Sequence, residues 1–243
     1  GTVGANKNSI KILGEKTSAY SQGYFVYDSK KAGAVTVSHV RFSKNPIRSP
    51  YLINRANFVA CHNFSFVEKY EMLEKLVEGG TFLLTCPFPA DQVWDKLPIE
   101  FQKGLIAKKA KFYVIDAVQI AKELGLGARI NMIMQTAFFV ISGIIPQDTA
   151  IAAIKEAVKK SYGSKGEKVV EMNYAAVDAG VKGTQLVNYP QTVTSKTHRP
   201  GVVPADAPEF VRLVTAPIIE GRGDELPVSA FPEDGSYMTG TTE

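Results

Sequence analysis

The residues best suited to chemistry stand at the very start. Gly1 and Gly4 bracket Thr2 and Val3 in GTVGANKNSIKI, and Asn6, Lys7, Asn8 and Ser9 lead into an apolar stripe of Ile10, Ile12 and Leu13. Small residues let backbone N–H groups approach a ligand, and a helix N-terminus favours negative charge. That is the chemistry of a phosphate seat. The same residues also make an ordinary glycine turn capped by Asn or Ser. Neither common fingerprint is met, because Asn6 stands where the P-loop pattern has its second glycine, and Val3 and Asn6 occupy glycine positions of the dinucleotide pattern.

Further cations suit an anion. Lys30 and Lys31 follow a strand-like segment about 20–25 residues beyond the glycines, where a dinucleotide fold reads the adenosine ribose. Lysines there accommodate a ribose phosphate, as in NADP or coenzyme A, or are a solvated pair at a strand end. Arg41, Lys44 and Arg48 share a stretch stiffened by Pro46 and Pro50. Arg129 and Asn131 immediately precede a long apolar segment, and Arg129 at a helix start is better placed for a ligand or a salt bridge than for the helix dipole.

Catalytic patterns are scarce. His39, His62 and His198 are scattered, and no H-E-x-x-H, G-x-S-x-G or calcium-loop pattern occurs. Cys61 and Cys86, without a C-x-x-C, cannot supply four thiolates to zinc or an iron–sulfur cluster. Two buried, reduced thiols fit a cytoplasmic chain. No catalytic residue and no metal ligand is expected here.

The elements that must position these residues alternate in type. Segments 22–27 and 34–40 read as strands, and 58–61, 81–85 and 112–115 are short apolar runs suited to strands buried on both faces. Helical segments are expected at 66–76, 99–108, 117–124, 131–145, 149–161 and 165–181. The fold class is α/β, a Rossmann-like, mostly parallel sheet with flanking helices. A phosphate-binding glycine loop normally follows a strand, so an upstream first strand is expected to be missing from this piece. Seven of the thirteen prolines fall between Pro190 and Pro232. Residues 1–185 therefore read as one domain and 186–243 as an extended proline-rich arm or linker.

Composition narrows the partners. Of 243 residues, 45% are hydrophobic and 21% charged, as in ordinary globular proteins. No apolar run approaches the roughly 18–20 residues of a membrane span. Residues 1–60 carry nine Lys or Arg against Glu15 and Asp28, whereas 206–243 carry Arg212 and Arg222 against eight acids. A basic front and an acidic tail suit an anionic ligand in front. Nucleic acid is not expected, since no basic stretch is interleaved with aromatic stacking platforms.

Five stretches taken together and in order, GTVGANKNSIKI, QGYFVYDSKKAG, VSHVRFSKNPIRSPYLI, GARINMIMQTAFF and LPVSAFPEDGSYMTGTTE, resemble pyruvate:ferredoxin (flavodoxin) oxidoreductases. The likeness is to their γ-type domain and the start of the linker toward a ferredoxin-like domain. It implies conversion of pyruvate and coenzyme A to acetyl-CoA and CO2 with reduction of ferredoxin or flavodoxin. Thiamine diphosphate, Mg2+ and [4Fe–4S] clusters would belong to the whole enzyme and lie outside this chain. What the resemblance implies here is coenzyme A binding. Gly1, Val3, Gly4, Asn6 and Lys7 would hold the pyrophosphate, Lys30 and Lys31 the ribose 3′-phosphate, and Arg129 with Asn131 would add polar contacts. Partners would be the remaining domains or chains of the same enzyme, assembled as a homodimer. The rival readings are a γ subunit serving another 2-oxoacid, an NADP-dependent reductase, and a non-catalytic docking domain for an acidic partner.

Overall fold

The computed structural model describes residues 2–27 and 35–237. Helix α1 (Thr2–Lys16) is followed by strands β1 (Tyr20–Tyr27) and β2 (Thr36–Ser43). Then come β3 (Ala56–Cys61), α2 (Phe66–Lys69), β4 (Leu76–Thr85), α3 (Ile99–Ala107), β5 (Lys111–Ile115) and α4 (Ala117–Glu123). Helices α5 (Asn131–Ser142), α6 (Gln147–Tyr162) and α7 (Glu167–Gly183) precede the two-residue strand β6 (Gln185–Leu186), and α8 (Ala216–Ile219) lies in the arm.

The main sheet runs β3-β4-β5-β6, with β3, β4 and β5 parallel and β6 antiparallel. Period-two alternation sends neighbouring side chains to opposite faces. Phe58 and Ala60, Leu83, and Tyr113 and Ile115 point to one core, where α1, α4, α5, α6 and α7 pack. Val59 and Cys61, Phe82 and Leu84, and Phe112 and Val114 point to the other, shared with α2, α3 and Trp94. Strands covered on both faces read as unbroken apolar runs, and the expected α/β class is the observed one.

Two expected strands go elsewhere. β1 and β2 pair antiparallel in a separate two-stranded sheet, with Tyr20 opposite Ser43 and Tyr27 opposite Thr36. Too few residues separate them for a parallel crossover, which needs a dozen or more. The hairpin's inner side faces α1 and α5: Ser21 Oγ donates to Ile10 O at 3.2 Å, and Phe42 lies 6.4 Å from Phe138.

The expected helix 66–76 stops at Lys69, and 76 onward joins β4. Its end is held from far away. Arg199 Nε donates to Val67 O at 3.1 Å and Arg199 Nη1 to Glu71 Oε2 at 2.8 Å, so a late arginine satisfies a carbonyl that another helical turn would otherwise use.

The arm divides into a strap and a lobe. Along 187–199, Val187 N–H donates to Phe112 O at 2.8 Å, Tyr189 Oη to Ala110 O at 2.6 Å, and Ile99 N–H to Thr197 O at 2.9 Å. Tyr189 stacks on Trp94 with centroids 4.8 Å apart. Fully buried Gln102 donates to Trp94 O at 2.6 Å and accepts from the Thr194 and Ser195 N–H groups at 2.9 and 3.0 Å. Residues 204–237 are not simply extended, as the proline count suggests. They contain a π-helical turn at Val211–Thr215 running into α8, where Pro217 has no N–H to give back to that turn. Phe210 and Phe231 gather round Tyr237 at 5.4 and 6.4 Å.

Candidate anion site

The glycine stretch is the first turn of a helix rather than a loop before one. Ala5, Ser9, Ile12 and Leu13 are buried at helical spacing, which carries the helix back to Thr2. A helix fans out residues that a loop would converge. Gly4 and Asn8, four apart, share one face; Lys7 turns to the hairpin, its Nζ 5.3 Å from the Phe25 ring centre. Val3, Asn6 and Lys7 do not line the site that Gly4 and Asn8 form.

That site is a cavity of about 160 Å³ lined by Gly4, Asn8, Asn131, Met132, Ser161 and Tyr162 among others. It lies where the first turns of α1 and α5 meet the last turn of α6. Thr85, the last residue of β4, donates its hydroxyl to Met134 Sδ at 2.9 Å, which fixes the start of α5 at the carboxyl end of the parallel strands. Open α/β sheets bind ligands at that end.

The cavity's electrostatics favour an anion. The first-turn N–H groups of α5 have no intrahelical partners and Ile130 offers them no side-chain cap, and no acid stands in the first turn of α5 or in the first described turn of α1. Asn8 is oriented by a polar chain: its Nδ2 donates to Gln135 Oε1 at 3.2 Å, Gln135 Nε2 to Ser9 Oγ at 3.1 Å, and Ser9 Oγ to Ala5 O at 2.9 Å. One Nδ2 hydrogen of Asn8 remains for a ligand. The carboxyl end of α6 opposes this with its carbonyls, but Lys159 and Lys160 in that last turn offset them. Gly4 has no heavy atom within 4 Å of a built Cβ, so space beside the backbone there is open.

Of the residues expected from sequence, Gly4 and Asn131 are brought together. Arg129 is exposed two residues before α5, and its backbone N–H donates to Leu126 O at 3.3 Å. Gly1, Lys30 and Lys31 lie outside the described residues. The premise for the lysine pair changes, because β1 is a hairpin strand and not the second strand of a parallel sheet. Arg41 is occupied structurally, donating to Gln22 Oε1 at 2.9 Å and Tyr51 O at 2.6 Å. Asn8, Ser161 and Tyr162 carry no pattern of their own; only the four-residue spacing of Gly4 and Asn8 could have pointed to the first of them.

A second cavity of about 170 Å³ lies at the ends of β4 and β5, beside Pro87, Phe88, Asp116 and Gln185. Its acid is committed, since Asp116 Oδ1 accepts from the Gln119 N–H at 2.9 Å and caps α4. Both volumes are below the roughly 300–1,000 Å³ of sites that enclose a whole ligand. Each is sized for a group, such as a phosphate, with the rest of a ligand lying over the surface.

The nucleophile candidates are disarmed. Burial pushes the thiols of Cys61 and Cys86 up to about 11, and each Sγ donates to a carbonyl two residues on, Asn63 O at 3.1 Å and Phe88 O at 3.2 Å. Burial lowers His62 to about 4, and its Nδ1 is enclosed with no partner. Among the described residues no group of three or more His, Cys, Asp or Glu could hold a metal ion, and no helix is long and apolar enough to cross a membrane.

A family profile described as pyruvate ferredoxin/flavodoxin oxidoreductase matches residues 1–183. The chain belongs to that family. A second profile, EKR, described as a domain of unknown function, matches residues 196–243 of this oxidoreductase-family chain. The chain is 52% identical over 245 residues to a putative pyruvate-flavodoxin oxidoreductase of Synechocystis sp., covering 100% of this chain and 20% of that protein. It is 51% identical to the pyruvate:ferredoxin oxidoreductase of Moorella thermoacetica, covering 100% of this chain and 21% of that one. It thus spans about a fifth of the length of these curated relatives.

Solved structures share the fold at low identity. The pyruvate oxidoreductase subunit PORC of Thermotoga maritima matches with a TM-score of 0.59 and 18% identity, over 77% of this chain and 92% of that one. The 2-oxoglutarate:ferredoxin oxidoreductase of Magnetococcus marinus, solved with 2-oxoglutarate, coenzyme A and succinyl-CoA bound, matches with a TM-score of 0.57 and 18% identity, over 82% of this chain and 30% of that one.

Proposed function

We propose that this chain is the coenzyme A-binding part of a polypeptide that oxidises pyruvate to acetyl-CoA and CO2 and passes electrons to ferredoxin or flavodoxin. The observation that supports it most is the convergence of the uncapped, acid-free start of α5 with Gly4, Asn8 and Asn131 on one small cavity at the carboxyl end of the sheet. A phosphate of coenzyme A there accepts hydrogen bonds from the first-turn N–H groups of α5 and the Asn8 amide, in the field of the α5 dipole. Binding by the nucleotide end leaves the pantetheine thiol free to reach chemistry carried out elsewhere in the polypeptide.

Iron–sulfur clusters do not fit these residues. Cys61 and Cys86 are buried, internally hydrogen-bonded and too few for a four-thiolate set. Clusters, thiamine diphosphate and Mg2+ belong in this reading to the other four-fifths of the enzyme, within a cytoplasmic homodimer. The chain divides at residue 185: 1–185 carries the site, and 186–243 straps over α3 before forming the lobe.

Calorimetric titration with coenzyme A, paired with 3′-dephospho-coenzyme A, tests the reading. Asn131→Asp places a carboxylate in the first turn of α5 and is expected to weaken coenzyme A at least tenfold. Gly4→Ala intrudes on the ligand without crowding the protein and is expected to weaken it several-fold. Tighter binding of the 3′-phosphorylated ligand, reduced by Lys30→Ala with Lys31→Ala, would extend the site to those lysines. Unchanged affinity in Asn131→Asp and Gly4→Ala would remove the cavity from the binding site.

A further inference from the structure

The β1–β2 hairpin has an outer face that the anion site does not use. Strand register places Tyr20, Gln22, Tyr24 and Val26 on the side away from α1, opposite Ser43, Arg41, His39 and Val37. The loop 44–55 is laid across the middle of that face and tied to it. Gln22 Nε2 donates to Ser49 O at 3.0 Å, Arg41 Nη2 to Tyr51 O at 2.6 Å, and the Ile53 N–H to His39 Nδ1 at 3.1 Å. Arg41 also lies 5.0 Å from the Tyr51 ring centre. The loop is therefore pinned in place.

What it leaves uncovered is apolar. Tyr24 and Tyr51 are 58% and 63% exposed, and Leu52, Val26 and Val37 are exposed as well. Val26 and Val37 are cross-strand partners, Tyr24 is directly opposite His39, and Leu52 adjoins the Ile53 that binds His39, so the five form one patch. The loop that crosses this face carries basic residues: Lys44, Arg48 and Arg55 are exposed and make no ion pair among the described residues. Exposed tyrosines, one of them held over an anchored arginine, are residue types that dominate protein interfaces. A contiguous patch of this kind on a soluble surface marks an interaction site.

We propose that this face docks an apolar, acid-rimmed surface elsewhere in the same polypeptide. Two observations select that occupant. The chain is only 20–21% of the length of its relatives, so other parts of the polypeptide are tethered nearby at high effective concentration. These cations, without an ion pair among the described residues, call for carboxylates opposite them, which disfavours a second copy presenting the same basic residues.

The test is photo-crosslinking in the full-length polypeptide. p-Benzoyl-phenylalanine replaces Tyr24 or Tyr51, and a third variant replaces His198, whose contact with Glu100 at 2.6 Å supplies a positive control. Isotopically light and heavy chains are mixed before irradiation, so that links within and between chains differ in mass. The expected result is a link from both tyrosine positions to peptides outside these 243 residues of the same chain, with Asp or Glu flanking the linked site. Lys44→Glu with Arg48→Glu should cut its yield several-fold. Light-to-heavy links would assign the face to a second copy and overturn the proposal. So would the absence of links from Tyr24 and Tyr51 when the His198 variant links to α3.

Discussion

Replacing Gln102 by leucine isolates the device that holds the arm to the body. The substitution nearly conserves volume, so little cavity forms and the loss is polar. Three backbone groups lose a hydrogen bond: Trp94 O, donated to at 2.6 Å, and the Thr194 and Ser195 N–H groups, which donate at 2.9 and 3.0 Å. Trp94 O keeps the Leu97 N–H at 3.1 Å and is not left bare, so its loss is about 0.5–1.5 kcal/mol, the net value of a hydrogen bond. Thr194 is exposed, so the two strap N–H groups can escape by lifting outward. Their loss is then about 0.5–1.5 kcal/mol each, the net value of a hydrogen bond.

The total is about 1.5–4.5 kcal/mol, which corresponds to a fall in Tm of roughly 3–18 °C for a chain of this size. Urea denaturation gives the stability change, and hydrogen exchange locates it. Amides of 190–199 are expected to lose protection first, while those of β3–β5 lose only what the global change dictates. A stability within about 0.5 kcal/mol of the parent, with protection at 190–199 retained, would refute the role of Gln102 as the clamp.

Gly180→Ala in α7 is expected to destabilise by about 1–2 kcal/mol, because overpacking outweighs the helix-propensity gain of about 1 kcal/mol. Its Cβ would stand 2.8 Å from Ile133 O and 3.0 Å from Thr136 Cβ in α5, and thermal melts measure the loss. Partial burial works to raise the Glu100 carboxyl, but hydrogen bonds from His198, its own N–H and the Arg199 N–H outweigh it and hold the group at about 2, below its ordinary 4.5. The contribution of the Glu100 carboxylate and its contacts with His198 and the Arg199 N–H is therefore complete above about pH 4.5 and is lost as pH falls toward 2; urea midpoints across that range should show a slope that Glu100→Gln flattens. Cys61 and Cys86, pushed up from 9.0 to about 11, should be alkylated by iodoacetamide at pH 8 about 100-fold more slowly than an ordinary thiol, read by mass spectrometry; modification at the ordinary rate would show that these sites open.

The parallel core was legible because burial on both faces leaves a local mark. TFLLT and FYVI are apolar at every position or nearly so, and both became central strands. The hairpin was misplaced for a reason also present in the sequence. The short connection between 27 and 36 allows only an antiparallel return, so connection length should have outweighed the alternation of types. The end of α2 and the course of the strap were not legible. Each depends on one residue, Arg199 or Gln102, meeting backbone groups some 90–130 positions away.

The candidate site divides along the same line. Backbone N–H groups have no side-chain signature, so a site built from them shows in sequence only through what lets a ligand approach. Gly4, Asn131 and the absence of acids from the first turn of α5 and the first described turn of α1 are such marks. Asn8, Ser161 and Tyr162 enter through the packing of α1, α5 and α6, which no single segment encodes. The helical start of the chain explains the remaining difference. Once Ala5 and Ser9 are required in the core, Lys7 must face Phe25 while Gly4 and Asn8 face α5. An anion at this site is thus held by the α5 dipole and amides more than by lysine charge. Its affinity should fall less steeply with salt than that of a site built from exposed Lys and Arg.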